Sequence, residues 1–538
     1  ALMAENESLE CTFIQFKGKR VIDVGNDRRD SIVCARDSRI PLAALPDGAA
    51  TGNLGLRAYA SLLAVSNRFG ALFAGTPSGF RFVSLAALRE TCEREAAEKY
   101  EREAGEKGVP RDQISDVARE MAVKRASEIF KDSAAAQLDS PPCALALSAD
   151  DTWLALCSNR TVFVFEVATV LGGGHGRAPV ITQPLPGAGE LLMWEWSPAP
   201  GALRALALDD QGELHVMTFA LPGSAGASCC CVARDPTLCS AAWASDGQSL
   251  ICGTDVGQVV RFAPEDGARC EMLANAPHAS IGGPAKLGLV RPLAVKAGDP
   301  LVERPVVLLA YEPKDEPDAP KMAALDLADG KLQGCEGTAC SPCMPAREDP
   351  SSGQPPRRRF HAITLPFWRL AVAFSSDSWQ VCCVGMRNTR DFIWRRWTLR
   401  DEDGAPSVPI FEDDANGVCF EDQYVMGLAL DLTSTEQVGL VAGEEKFPPA
   451  PVVWALTSHG SLIAWTVINK LATPTAGTTS YPFMRQAEAL PPPQAPAHAF
   501  RTAGAGLFGG GAPAPMPAPA GGLFGGAPAS APAPAGGM

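Results

Sequence analysis

Residues Cys239–Pro264 read CSAAWASDGQSLICGTDVGQVVRFAP, and the order of residue types in this stretch decides the fold. An apolar run ending at Trp243 gives way to the turn Ser245-Asp246-Gly247-Gln248. A second apolar run follows, and a second turn at Asp255-Val256-Gly257 leads into Val259–Phe262. Short runs of apolar and β-branched residues bounded by Gly and Asp predict strands joined by tight turns, not helices.

The same order recurs outward in both directions. Leu62–Leu85 reads LLAVSNRFGALFAGTPSGFRFVSL, Cys143–Val167 reads CALALSADDTWLALCSNRTVFVFEV, and Leu191–Leu221 repeats the plan with LLMWEWSPAPGALRALALDDQGELHVMTFAL. Looser copies follow at Leu287–Tyr311, Trp368–Leu399 and Tyr424–Ile468. Self-similarity at this period, with room for about four strands per unit, predicts an all-β, seven-bladed β-propeller over residues 11–469; a six- or eight-bladed ring is the alternative. The short strand Cys11–Phe16 is expected to pair with the last unit and close the ring, which removes exposed sheet edges.

Three segments break the repeat. Residues 89–136 are dense in Glu, Arg, Lys and Ala, with apolar residues at helical spacing, and predict a charged helical insertion interrupted at Gly105, Gly108 and Pro110. Glu312–Arg359 reads as a second, loop-like insertion. Beyond the propeller, residues 470–505 form a Pro/Ala-rich linker, and residues 506–538 form a tail of Pro, Ala and Gly. Such a tail cannot bury enough apolar surface to offset its ordering entropy, so it is expected to be disordered.

Composition excludes several function classes. The chain has 538 residues with 47 Lys and Arg against 61 Asp and Glu, a net charge of −14, which disfavours direct nucleic-acid binding. No apolar run reaches about 18 residues, and the first ten residues carry three glutamates, so neither a membrane span nor a secretory signal is expected. The 17 cysteines are scattered, many in apolar runs where a reduced thiol acts as a small hydrophobe. The only ligand-like spacing, Cys335, Cys340 and Cys343, lacks a fourth ligand and reads as an exposed Gly/Pro loop, so neither a metal nor another cofactor is expected. No P-loop, no zinc-protease helix and no nucleophile elbow occurs, and the six histidines are dispersed, which predicts no catalytic residues. The pairs Asp209-Asp210 and Asp413-Asp414 lie in turn-like contexts where carboxylates cap backbone amides. A propeller hydrolase would need histidines and acids converging in the central channel. The chain reads instead as a binding platform.

The tail carries Gly506-Leu507-Phe508-Gly509 and Gly522-Leu523-Phe524-Gly525, two GLFG units on a flexible chain. Burying one Phe contributes roughly 1.5–3 kcal/mol at most, so Leu507, Phe508, Leu523 and Phe524 are suited to weak, fast and multivalent contacts. A low-complexity linker with chance aromatics is the bland alternative. Motifs of this form resemble those with which nucleoporins contact nuclear transport receptors.

A propeller followed by an FG tail resembles the N-terminal propeller of the CAN-type FG nucleoporins of the pore's cytoplasmic face. The resemblance is carried by Phe13-Ile14-Gln15-Phe16 with Lys17, Lys19 and Arg20, by Leu62–Gly70 with Leu72-Phe73-Ala74-Gly75 and Ser78-Gly79, and by Pro448–Val452 with Leu456–Gly460 and Ile468-Asn469. It implies a cytoplasmic-face component of the nuclear pore, without enzymatic activity, that works beside other cytoplasmic-face nucleoporins. Its implied role is to dock the DEAD-box helicase of mRNA export through rim loops. The corresponding segment is Val384–Trp394, and the docking residues implied are Arg387, Asn388, Arg390, Asp391 and Phe392. Arg387 falls on an arginine that contacts the helicase in the family and Phe392 on an apolar contact, while Trp394 and Trp397 are expected to face the blade core. Arginines and aromatics interleaved in an acidic chain suit an interface; the bland alternative is a solvated strand pair. The family's long coiled-coil anchor is not visible, and the insertion at 89–136 has no obvious family equivalent. A generic WD-like adaptor propeller in another assembly is the rival reading.

Overall fold

A computed structural model describes residues 9–11, 14–23, 60–91 and, with interruptions, 129–490. Among the described residues, sheets of four or five strands follow one another along the chain, antiparallel but for one added edge strand, and two short two-stranded sheets, Phe411–Asp413 with Cys419–Glu421 and Val438–Gly439 with Lys446–Phe447, stand beside them. Sheet I comprises Leu63–Ser66, Ala71–Thr76, Gly79–Ser84 and Lys131–Asp132. Sheet II comprises Pro142–Leu147, Trp153–Ser158, Thr161–Glu166 and Ile181–Pro184. Sheet III comprises Leu191–Trp196, Arg204–Asp209, Glu213–Thr218 and Ser228–Arg234. Sheet IV comprises Leu238–Trp243, Leu250–Thr254, Val259–Phe262 and Arg269–Ala274.

Sheet V comprises Ala285–Pro292, Val306–Pro313, Lys321–Asp326 and Leu332–Thr338. Sheet VI comprises Phe360–Leu365, Leu370–Ser375, Cys382–Met386 and Trp394–Leu399, with Leu9–Cys11 added at its edge. Sheet VII comprises Val425–Asp431, Val452–Thr457 and Ser461–Asn469, completed by Ile14–Asp23 from the start of the chain. The first strand of each sheet touches the first strand of the next, and that of sheet VII returns to that of sheet I, so the cycle closes. This is a β-propeller.

Burial explains which strands sequence patterning reveals. Ala71–Thr76, Leu370–Ser375 and Val452–Thr457 are buried along their whole length, because both faces of an inner strand are covered by neighbouring sheets. Such strands read as continuous apolar runs, not as alternation. The outermost strands differ: Ile181–Pro184 alternates between half-buried and exposed, and Ser228–Arg234 is mostly exposed. The turns follow their composition. Gly247 sits at φ +69°, its N–H donates to the Ala244 carbonyl, and the Asp246 carboxylate accepts the Gln248 N–H at 2.9 Å.

Several sequence boundaries move. The segment after Tyr311 is not a loop-like insertion throughout, since Lys321–Asp326 and Leu332–Thr338 are the two outer strands of sheet V. Cys335 lies on the last of these, opposite Met322, not in a loop; Cys340 and Cys343 fall outside the described residues. Sheet VI begins at Phe360, before the expected start at Trp368, which occupies the short helical turn Pro366–Trp368. The strand expected at Cys11–Phe16 is divided between sheets VI and VII.

The helical segment begins at residue 85, still packed on the propeller through buried Leu85 and Leu88, and Lys131–Asp132 is the outermost strand of sheet I. The insertion expected at 89–136 therefore ends earlier: it lies between the third and fourth strands of sheet I and stops at residue 130, because Lys131–Asp132 belong to the sheet. Most of it lies outside the described residues. Cys143, Cys157, Cys252, Cys382 and Cys383 are buried; burial pushes the Cys157 and Cys252 thiols well up, and Cys239 to about 12.

Candidate docking surface

Two stretches singled out in the sequence lie on the ring, and the first is the hairpin of sheet VI that carries the expected docking segment. Cys382–Met386 pairs antiparallel with Trp394–Leu399, and Met386 stands opposite Trp394. Residues 387–393 therefore join the third strand of sheet VI to its fourth. Arg387, Asn388, Arg390, Asp391 and Phe392 lie within that connection and outside the described residues. Trp394 is buried beside Val384 and Met386 in the core between sheets V and VI, as its expected orientation requires. The side chain of Trp397 is outside the described residues, as are Leu507, Phe508, Leu523 and Phe524.

The second region is the turn Ser66–Gly70, the most distinctive part of the sequence resemblance. Asn67 faces sheet VII: its Nδ2 donates to the Leu430 carbonyl at 2.9 Å, and its Oδ1 accepts the Leu432 N–H at 2.6 Å. Ser66 Oγ and the Arg68 N–H both donate to Asp151 Oδ2 of sheet II, at 3.1 and 2.9 Å. One turn thus fastens three consecutive sheets. Asp151 has φ +59°, and burial holds its carboxyl above the usual range despite the two hydrogen bonds. Its neighbour Asp150 is also raised by burial, but hydrogen bonds from Ser148 and Thr152 outweigh this and leave it lowered.

A C-terminal strap covers the same seam. Residues 480–490, assigned from composition to the linker, pack on the propeller. Tyr481 is buried against Trp368 at 5.5 Å between ring centroids, and Phe483 stacks on Phe367 at 3.5 Å. The Arg485 N–H donates to the Leu432 carbonyl at 2.8 Å, and the Glu488 N–H to the Arg68 carbonyl at 2.6 Å. Arg68 Nε donates to Glu488 Oε2 at 2.8 Å, which raises the Arg68 guanidinium above its ordinary value. Gly70, at φ +58°, leaves room for Ala487: a Cβ there would come within 2.9 Å of the alanine's. Asn67, Arg68, Asp150, Asp151, Arg485 and Glu488 line an open cleft of about 350 Å³. Sequence reasoning missed the strap because proline and alanine surround it; the clue was Tyr481-Pro482-Phe483-Met484, an aromatic cluster in an otherwise aromatic-poor stretch.

The Asp150 and Asp151 carboxylates of this cleft are engaged by main-chain and hydroxyl donors, so they fasten turns. Asp209 and Asp210 act in the same way: Asp209 accepts the N–H groups of Gln211 and Glu213, and Asp210 accepts that of Glu190.

A closed ring of sheets with a fastened seam defines the class: an all-β propeller. Its sequence is similar to that of the human nuclear pore complex protein Nup214, at 22% identity over 426 residues. That alignment covers 76% of this chain and 18% of the human protein, so the chain spans about a fifth of the relative's length. The chain therefore resembles a nucleoporin of the Nup214 type in its propeller domain. No family model matches it. Among solved structures, the N-terminal domain of Nup159 aligns at 14% identity with a TM-score of 0.49, covering 86% of this chain and 98% of that one. A chain in the S. cerevisiae complex described as Dbp5 bound to Nup159 and Gle1 aligns at 13% identity with a TM-score of 0.46, covering 85% and 96%.

Proposed function

We propose that this chain is a component of the nuclear pore's cytoplasmic face, and that its seven sheets are the blades of a platform docking the DEAD-box helicase of mRNA export. It performs no chemistry of its own. The observation that carries this reading is the sequence similarity to human Nup214 across most of the ring. The residues support it in kind. Residues 387–393 leave a buried stem at Met386 and Trp394, and the segment carries Arg387, Arg390 and Phe392, residue types that anchor interfaces. Arg387, Asn388, Arg390, Asp391 and Phe392 form the docking contact in this reading.

The two GLFG units supply weak sites for transport receptors through Leu507, Phe508, Leu523 and Phe524, and other cytoplasmic-face nucleoporins are its neighbours. The deciding experiment is a titration of the purified helicase against the wild-type chain and the double variant Arg387→Glu, Arg390→Glu. Charge reversal is expected to weaken binding at least tenfold while the melting temperature stays unchanged. Equal binding by the double variant removes this docking site, and no binding by either protein removes the helicase reading.

A further inference from the structure

The outermost strand of sheet III, Ser228–Arg234, carries three cysteines in a row, Cys229, Cys230 and Cys231. Cys229 and Cys231 are exposed, and Cys230 is half-buried. The neighbouring strand Glu213–Thr218 sets His215 opposite Cys231 and Met217 opposite Cys229. Residues opposite one another share a sheet face, as do residues two apart on a strand. Glu213, His215, Cys229 and Cys231 therefore stand on one face.

Side-chain contacts order three of them into a relay. Cys229 Sγ lies 3.9 Å from His215 Nδ1, and His215 Nε2 lies 3.4 Å from Glu213 Oε2. The other carboxylate oxygen, Oε1, is 3.3 Å from Arg234 Nε, which holds the carboxylate in place. A carboxylate only accepts, so Nε2 carries the imidazole proton and Nδ1 turns its lone pair toward the thiol. Nucleophile, base and orienting carboxylate in this order are the parts of a base-activated thiol. The other two cysteines differ. Cys230 Sγ donates to the Glu265 carbonyl at 3.6 Å and Cys231 Sγ to the Ala233 carbonyl at 3.6 Å, and a carbonyl does not take the proton away. Partial burial and the two neighbouring thiols raise Cys229 above its ordinary value, so at neutral pH it rests as the thiol and depends on a base. The charged groups around the relay are Arg234 and Asp209 of sheet III. From the side of sheet II comes Arg160, which pairs with Asp209 at 3.8 Å and shares with Glu213 the space beside Gly187.

We propose that Cys229 is a site of thiol–disulfide exchange, with His215 as its general base. The co-substrate is the disulfide of a small thiol. His215 Nδ1 takes the proton from Cys229 Sγ as that sulfur attacks one sulfur of the disulfide. A bond forms between the two sulfurs, the original disulfide bond breaks, and the imidazole returns the proton to the leaving thiolate. Cys229 is oxidised to a mixed disulfide, and the co-substrate is reduced to one thiol. The reaction modifies the chain once and involves no turnover. It is independent of the helicase reading, because Cys229, His215 and Glu213 all lie on sheet III.

The test uses the full chain and oxidised glutathione. Cys230→Ser with Cys231→Ser leaves Cys229 alone in the strand, and the two corresponding pairs of substitutions leave Cys230 or Cys231. Mass spectrometry follows the glutathione adduct on the tryptic fragment of residues 205–234. At pH 7 the chain keeping Cys229 is expected to react at least tenfold faster than the other two. Adding His215→Gln to it should remove that advantage at pH 7, and the loss should shrink toward pH 10 as the thiol ionises unaided. Since His215 is buried, the pH profile of the chain keeping Cys229 supplies a reading that needs no substitution there. A general base makes the rate level off near neutrality, where an imidazole loses its proton, whereas direct ionisation makes it climb about tenfold per pH unit until the thiol titrates. Equal rates for the three cysteines at pH 7, or a Cys229 rate still climbing in this way past about pH 8, overturn the proposal.

Discussion

Arg291, on the first strand of sheet V, places its guanidinium 2.8 Å from Oε1 of Glu195 on the first strand of sheet III. Between them lies sheet IV, whose Trp243 N–H donates to Glu195 Oε2 at 3.4 Å and whose indole donates to the Glu195 carbonyl at 3.2 Å. One carboxylate therefore ties three consecutive sheets at their inner strands. Arg359 adds a fourth, reaching from the start of sheet VI to the Leu192 carbonyl at 2.8 Å.

Removing Arg291 should make stability sensitive to pH. Burial already raises the Glu195 carboxyl above its ordinary value, and Arg291 partly offsets this. A raised carboxyl means that the folded state binds more protons than the unfolded state, so stability falls as pH rises above about 4.5. Arg291→Met should steepen that fall, with the variant losing about 1–3 kcal/mol at pH 7 and less at pH 5. Urea midpoints at the two pH values check this; equal losses at both would refute it.

His361 predicts the opposite slope. It is buried on the first strand of sheet VI, and burial, with Arg359 nearby, lowers its pKa to about 3. The unfolded chain takes up a proton near pH 6.5, whereas the folded chain resists until about 3. Stability should therefore be full above pH 6.5 and decline toward pH 3, by up to about 1.4 kcal/mol per unit. His361→Gln should flatten this decline in chemical denaturation series at pH 7.5, 5.5 and 4.5. An unchanged slope would count against it.

Arg89 anchors the root of the insertion. It forms an ion pair with Asp431, which is fully buried, and donates to the Thr433 carbonyl at 3.1 Å. Removing one partner of a buried pair leaves the other uncompensated, so Arg89→Ala should cost about 3 kcal/mol. Asp431 keeps its bonds from the Thr433 N–H and hydroxyl, which holds the loss near the lower end of the usual range. Thermal unfolding of the variant measures it.

The strap should contribute stability through its aromatics more than through its exposed ion pair. Stacked and edge-on aromatic pairs contribute about 0.5–1.5 kcal/mol each beyond the area they bury, while an exposed pair such as Arg68 and Glu488 contributes about 0–1 kcal/mol. Tyr481→Ala with Phe483→Ala should cost about 3 kcal/mol and expose residues 480–490 to limited proteolysis. Glu488→Gln should change stability by less than about 1 kcal/mol. A larger effect from Glu488→Gln than from the aromatic pair would reverse this ranking.

Residue chemistry alone determined the fold class. Leu250–Thr254 and its counterparts are covered on both faces, so they had to be apolar, and Asp246-Gly247 could only turn the chain between them. The same logic hid the outer strands, since Ile181–Pro184 and Ser228–Arg234 face water and need no apolar signature, and it let the outer half of sheet V pass for an insertion. The division of the first strand between sheets VI and VII, the docking of Tyr481 and Phe483, and the Glu195 hub were decided only by tertiary structure. Each joins residues far apart in the chain, and what holds them is proximity created by the closed ring, for which local composition carries no mark.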